Sequence, residues 1–164
     1  MNTHTIARPS DIPSLLGSHA SSSPFDTEAL GQALAKAIVS APDLPRFVAL
    51  YGDLGVGKTA FIRGFTAELV PSARVKSPTF ALVNEYRGSP LSVFHFDMYR
   101  ITDEDELWSM GFYDYLDRPG IYLTEWSENI AFALPERYLR VEIVKDSPEH
   151  PDSRRITVSL CQNA

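Results

Sequence analysis

The chain of 164 residues contains one cysteine, Cys161, close to its end. A single thiol allows no intramolecular disulfide and no cysteine-based metal cluster, which suits a reducing compartment. No apolar run approaches the roughly 20 residues that a membrane span needs. No basic stretch followed by an apolar one opens the sequence in the manner of a secretory signal. The expectation is a cytoplasmic protein with no membrane partner. An excess of positive charge is also missing, since 15 Lys and Arg stand against 21 Asp and Glu, a net charge of −6. That argues against a dedicated binder of bare DNA or RNA, which presents a basic face.

What is present suffices for one folded domain. A hydrophobic fraction of 44% in a chain of this length supports a single buried core. "PSDIPSLLGSHASSSP", Pro9 to Pro24, is rich in Ser and Pro and has no lasting periodicity, so it reads as a loop or loosely held arm. Residues 1–22 are accordingly expected to form an N-terminal strand and irregular arm, and residues 23–164 a single domain. After Ser23 the pattern turns helical. Leu30, Leu34 and Ile38 recur every fourth residue, with Ser23 as cap, Pro24 in the first turn and Asp26 at the positive end.

"RFVALYG" is a short apolar run ending at a glycine, hence a buried strand. "KTAFIRGFTAELV" reads as a helix. "SPTFALVNEYRGSPLSVFHFDMYR" reads as an antiparallel hairpin turning at Gly88-Ser89-Pro90. "TDEDELWSMGFYDYL" is an acidic-started helix broken at Gly111, and "GIYLTEW" is another apolar strand. "RYLRVEIVK" and "RRITVSL" alternate as strands, with "DSPEHPDS" between them as an exposed loop. The predicted architecture is a three-layer α/β domain with a mixed, mostly parallel sheet, in which the hairpin inserts an antiparallel strand among parallel ones.

The most informative passage is Gly52-Asp53-Leu54-Gly55-Val56-Gly57-Lys58-Thr59, which fits G-x-x-x-x-G-K-[ST]. Its glycines let successive backbone N–H groups turn inward around phosphates, and the following helix adds the positive end of its dipole. Lys58 can reach the β- and γ-phosphates, and the Thr59 hydroxyl can ligate Mg²⁺. The run lies between a predicted strand and a predicted helix, as this chemistry requires. A P-loop also needs a carboxylate on a neighbouring strand to complete the Mg²⁺ shell. Two apolar strands end on one: "VFHFD" at Asp97 and "IYLTE" at Glu125. The pattern does not decide which of them touches the metal and which orients water. Ser77-Pro78-Thr79 precedes the hairpin. It reads either as turn chemistry or as a switch segment sensing the γ-phosphate.

Absences narrow the class of P-loop protein. Without Asn-Lys-x-Asp the chain lacks a guanine reader, and Asp117-Arg118-Pro119-Gly120 precedes a strand and reads as a turn. A transporter-type Leu-Ser-Gly-Gly is missing as well. The main rival is a small-metabolite P-loop kinase. Such enzymes carry an arginine-bearing lid and often glycine clusters, yet no Gly-Gly pair occurs here, and Arg137 and Arg140 are equally well explained as surface residues. His95 shares a strand face with Asp97 by period two, where a core histidine accounts for it more simply than a role beside the metal. Asp103 to Glu106 most simply start a helix.

"GDLGVGKTAFIRG", "VKSPTFALVNEY", "HFDMYR", "DELWSMGFYDYL" and "LTEW" follow one another in an order and spacing that resembles the TsaE (YjeE) family of bacterial P-loop ATPases. The resemblance runs from the Ser23 helix to the strand at Leu139–Val144. It implies ATP and Mg²⁺ as ligands. It also implies a role in threonylcarbamoyladenosine modification of tRNAs that read codons beginning with A, acting on a complex of TsaD, the transferase, with TsaB, so that tRNA is reached only indirectly. The matching positions are Gly52 through Thr59 for phosphates and metal, Asp97 and Glu125 for the metal and catalytic shell, Thr79 in the switch-like segment, and Trp126 beside the glutamate. Thr27 corresponds to an adenine-side contact. Members begin with a short strand, for which "HTIARPS" is the counterpart here, followed by an extra Ser/Pro-rich stretch.

Overall fold

A computed structural model describes residues 12–78 and 81–162. A seven-stranded sheet runs in the order β1-β7-β6-β2-β5-β4-β3. Its four central strands, β6 (Arg137–Ser147), β2 (Phe47–Tyr51), β5 (Gly120–Glu125) and β4 (Ser92–Asp97), are mutually parallel. Antiparallel strands close both sides: β3 (Val83–Tyr86) next to β4, and β7 (His150–Gln162) then β1 (Gly17–Ser21) next to β6. The mixed sheet agrees with the sequence reading. The hairpin, however, puts its antiparallel strand at the sheet edge rather than among the parallel ones.

β5 lies inside the sheet between β2 and β4, and all six of its residues are buried, as its uninterrupted apolar run requires. α2 (Pro24–Ser40) and α3 (Lys58–Leu69) cover one face. α2 starts as its sequence dictates. The Ser23 hydroxyl accepts from the Asp26 amide at 3.1 Å, Pro24 fills the first turn, and Leu34 and Ile38 are buried. The two helices cross at Gly31 and Gly64. A Cβ on Gly31 would run into the Phe61 carbonyl, and one on Gly64 into the Glu28 carbonyl, so the backbones touch directly.

The short helices α4 (Glu104–Ser109) and α5 (Phe112–Leu116) and a 3-10 turn over Ser127–Ala133 lie on the other face. Gly111 separates α4 from α5, as expected. Rings fill this layer: Phe94 stacks on Tyr122 at 5.4 Å, and Phe96 meets Phe112 edge-on at 5.3 Å.

Two sequence expectations fail. The Pro9–Pro24 stretch is not all loop, since its described part forms a short helix α1 (Ile12–Leu15) and the edge strand β1. The "HTIARPS" segment falls outside the described residues. "DSPEHPDS" is mostly strand, because β6 continues to Ser147 and β7 starts at His150, and cross-strand pairing overrides its loop-like composition. No helix among the described residues is long and apolar enough to cross a membrane.

Candidate functional site

Parallel strands deliver their carboxyl ends to one edge of the sheet, and the glycine loop follows β2 at that edge. Gly52, Gly55 and Gly57 have φ of 148°, 80° and 114°. Gly52 is required twice over: its φ lies in the left-handed half of the map, and a Cβ there would come within 2.6 Å of the Ile143 carbonyl oxygen. Lys58 opens α3 and is 5% exposed. Its Nζ donates to the Gly52 carbonyl at 2.5 Å and lies 4.4 Å from the centre of the Trp126 ring. The amine is thus held over the loop by a carbonyl and an aromatic face.

Asp97 and Glu125 are direct cross-strand neighbours at the ends of β4 and β5, and both are buried. With Lys58, Thr59, Gly57 and Trp126 they line one cavity of about 690 Å³. Burial pushes the Asp97 carboxyl above its ordinary pKa; the Tyr99 amide, donating to Oδ1 at 3.0 Å, opposes this, and the Glu125 charge adds to the rise. Two adjacent buried carboxylates beside a hydroxyl form a hard-oxygen donor set that a divalent cation would relieve of its repulsion. No group of three or more His, Cys, Asp or Glu able to hold a metal occurs among the described residues. The two carboxylates and the hydroxyl fit the needs of Mg²⁺, which is held by one or two carboxylates plus substrate phosphates.

The positions named from sequence mostly gather here. Asp53, Leu54 and Gly55 form the exposed tip of the loop, and Val56 is buried behind it. Thr27 is buried next to the loop: its hydroxyl bonds Ser21 Oγ at 2.8 Å, and it lines a small cleft of about 140 Å³ with Gly57 and Arg154. Thr79 lies outside the described residues. Arg137 starts β6, at the opposite end of the sheet from the loop, and donates to the Asp43 carbonyl. Arg140 packs 3.8 Å over the Tyr51 ring and pairs with Glu142.

With this geometry in place, the comparisons decide the family. The family model described as threonylcarbamoyl adenosine biosynthesis protein TsaE matches residues 21–156. The chain belongs to the TsaE family. A Bacillus subtilis protein named tRNA threonylcarbamoyladenosine biosynthesis protein TsaE is 38% identical over 114 residues, 70% of this chain and 69% of its own length. The Haemophilus influenzae protein of the same name is 45% identical over 96 residues, 58% of this chain; the matched part spans 61% of that relative. The crystal structure of Bacillus subtilis YdiB superposes with a TM-score of 0.68 at 27% identity, covering 89% of this chain and 85% of that one.

Within this TsaE-family site, the sequence reading missed several contacts. His95 is fully buried, and its Nε2 lies 2.6 Å from Glu125 Oε2, so it sits directly behind one of the two carboxylates. Period-two spacing put it on the correct face, but the register between β4 and β5, which supplies the partner, is not written locally. Trp126 has left-handed backbone at φ 56° and its ring meets both Lys58 and Tyr99, the latter 5.1 Å away. Asn129 ties the segment after Glu125 to the one after Asp97, donating to the Met98 carbonyl at 2.9 Å. Neither contact had a sequence signal beyond residue type.

Proposed function

We propose that this chain binds Mg-ATP through Gly52–Thr59 and hydrolyses it, slowly when alone. In this reading its ATP cycle sustains repeated rounds of tRNA threonylcarbamoyladenosine modification by acting on a TsaD–TsaB complex in the cytoplasm. The observation that carries it is the convergence of Lys58, Thr59, Asp97 and Glu125 on one cavity at the carboxyl edge of the sheet. Membership of the TsaE family supplies the pathway.

The loop's amides and the start of α3 bind the phosphates, and Lys58 moves from the Gly52 carbonyl onto the β- and γ-oxygens. Thr59 with Asp97, Glu125 or both would hold Mg²⁺, which supplies charge neutralisation on the phosphates when bound. The carboxylate not on the metal orients the attacking water. Thr27 borders the adenine side. No arginine is among the described residues that line the cavity, and sites of this kind are accelerated in trans by a partner.

A metabolite kinase fits less well. Arg137 lies at the far end of the sheet, and the neighbouring cavity of about 560 Å³ is lined by Asp103, Asp105 and Glu106 beside Arg100, an acid-rich wall unsuited to an anionic acceptor.

The test measures ATP turnover and tRNA modification with and without TsaD and TsaB, using wild type and Lys58→Ala. Low intrinsic turnover that changes only when both proteins are added is expected. Lys58→Ala should lose about tenfold to a hundredfold in affinity or turnover, since a charge-assisted hydrogen bond contributes roughly 1.5–3 kcal/mol. Many modification cycles without this chain, or with the Lys58 variant, would end this reading; turnover stimulated by a metabolite would favour the kinase.

A further inference from the structure

Arg154 belongs to β7, 98 residues from the phosphate loop in sequence, yet its Nε donates to the Val56 carbonyl at 2.7 Å. Its Nη1 donates to the carbonyls of Ser153, at 3.1 Å, and Pro151. We propose that Arg154 is a positioning residue that sets which way the loop apex presents its backbone N–H groups. The proposal rests on the reading of Gly52–Thr59 as a phosphate cradle.

In a planar trans peptide the C=O and the following N–H point in opposite directions. Val56 is flanked by Gly55 and Gly57, both at positive φ, so the peptide between Val56 and Gly57 is bounded by a residue that resists rotation little. Val56 lines the small cleft that Arg154 shares with Thr27, whereas Gly57 also lines the large cavity of Lys58, Asp97 and Glu125. Drawing the Val56 oxygen toward the guanidinium therefore turns the Gly57 N–H away from Arg154, toward the large cavity. Because the donor is charged, the hold is stronger than a neutral hydrogen bond.

The anchor is itself fixed. β7 is paired on both sides, with Arg154 opposite Ser21 of β1 and Lys145 of β6. Ser21 in turn bonds the buried Thr27. The two outer strands β1 and β7, neither of which carries a phosphate-binding motif, thus brace the loop from the side away from the carboxylates. Nε and Nη1 are engaged with three carbonyls, one of them in the loop, so these donors hold the backbone.

The experiment compares Arg154→Met, Arg154→Lys and Arg155→Met with wild type in the full chain. Arg155 is the exposed neighbour on β7 that bonds Ser18 and pairs with Asp146, so its variant controls for loss of one positive charge. Binding of Mg-ATP and of inorganic triphosphate is titrated, and the Gly57 amide signal is followed by NMR in the ligand-free protein. Arg154→Met is expected to weaken both ligands about tenfold and to displace the Gly57 signal before any ligand is added. Arg154→Lys, which keeps the charge but not the fork, should fall between, and Arg155→Met should match wild type. If Arg154→Met does not fold, Arg154→Lys carries the test through the same two readouts.

Three results would overturn the role: affinities equal to wild type, a loss confined to ATP with triphosphate unaffected, or a loss with the ligand-free Gly57 signal undisturbed. The last two would mean direct contact with the base or with phosphate. Binding that depends on Lys58 but is indifferent to Arg154 sinks only this role. A wild type that binds neither ligand sinks the cradle reading beneath it.

Discussion

On one face of the sheet, α2 and α3 press backbone against backbone at Gly31 and Gly64; on the other, short helices are held off by rings, with Phe94, Phe96, Phe112 and Tyr122 in contact. The first face carries Lys58 and Thr59 at the start of α3, and the second borders the segments that follow Asp97 and Glu125. The difference bears on function. A helix that follows the phosphate loop is fixed best where no side chain intervenes, since its first turn then cannot shift without separating two backbones. Ring packing instead joins short elements, and Tyr99 and Trp108 beside them are exposed at 59% and 62%. The face that carries Lys58 and Thr59 is thus the one whose helices cross backbone to backbone.

The largest expected effect comes from removing a ring. Phe96 is fully buried against Phe112 and Tyr115, so Phe96→Ala should cost about 4 kcal/mol in denaturant unfolding. The tightly crossed face breaks in the opposite way, by addition. Gly64→Ala should destabilise by about 3 kcal/mol because α2 must move away. An exposed helical glycine would instead gain up to about 1 kcal/mol on becoming alanine. A more stable Gly64→Ala protein would therefore show that the crossing is not tight.

The functional contrast is next. Glu125→Gln should lower ATP hydrolysis about a hundredfold while nucleotide affinity changes far less, because the loop amides remain; an equal loss of both would place Glu125 in binding instead.

The smallest effect belongs to the surface of the aromatic face, where Arg118 forks onto Glu85 and holds its carboxyl below the ordinary range. A depressed carboxylate stabilises the fold above its unfolded pKa, and that contribution is lost as pH falls through the folded value. Wild type should therefore lose a small increment on acidification that Arg118→Met lacks, seen by comparing melting curves at neutral and acidic pH. Parallel acid profiles would show that the pair contributes nothing.

Legibility followed distance along the chain. The loop from Gly52 to Thr59, the Ser23 cap, the break at Gly111 and the carboxylates closing β4 and β5 were readable because each depends on a few consecutive residues. The strand Gly17–Ser21 was not. Its residues have weak β preference, and it exists because β7 offers it a free edge. The strand-like course of the "DSPEHPDS" segment has the same cause, since pairing with a long partner outweighs turn-forming residues.

The sequence alone therefore determined that a phosphate loop stands between a buried strand and a helix, and that two apolar strands end in acids. Backbone conformation and burial act there over a few residues and leave a readable pattern. Only the tertiary structure decided that Asp97 and Glu125 are neighbours, that His95 stands behind Glu125 from 30 residues away, that Trp126 covers Lys58, and that Arg154 holds Val56 across 98 residues. Strand order and register made those meetings. They arise from burying both faces of one sheet at once, a condition that no short window of residues records.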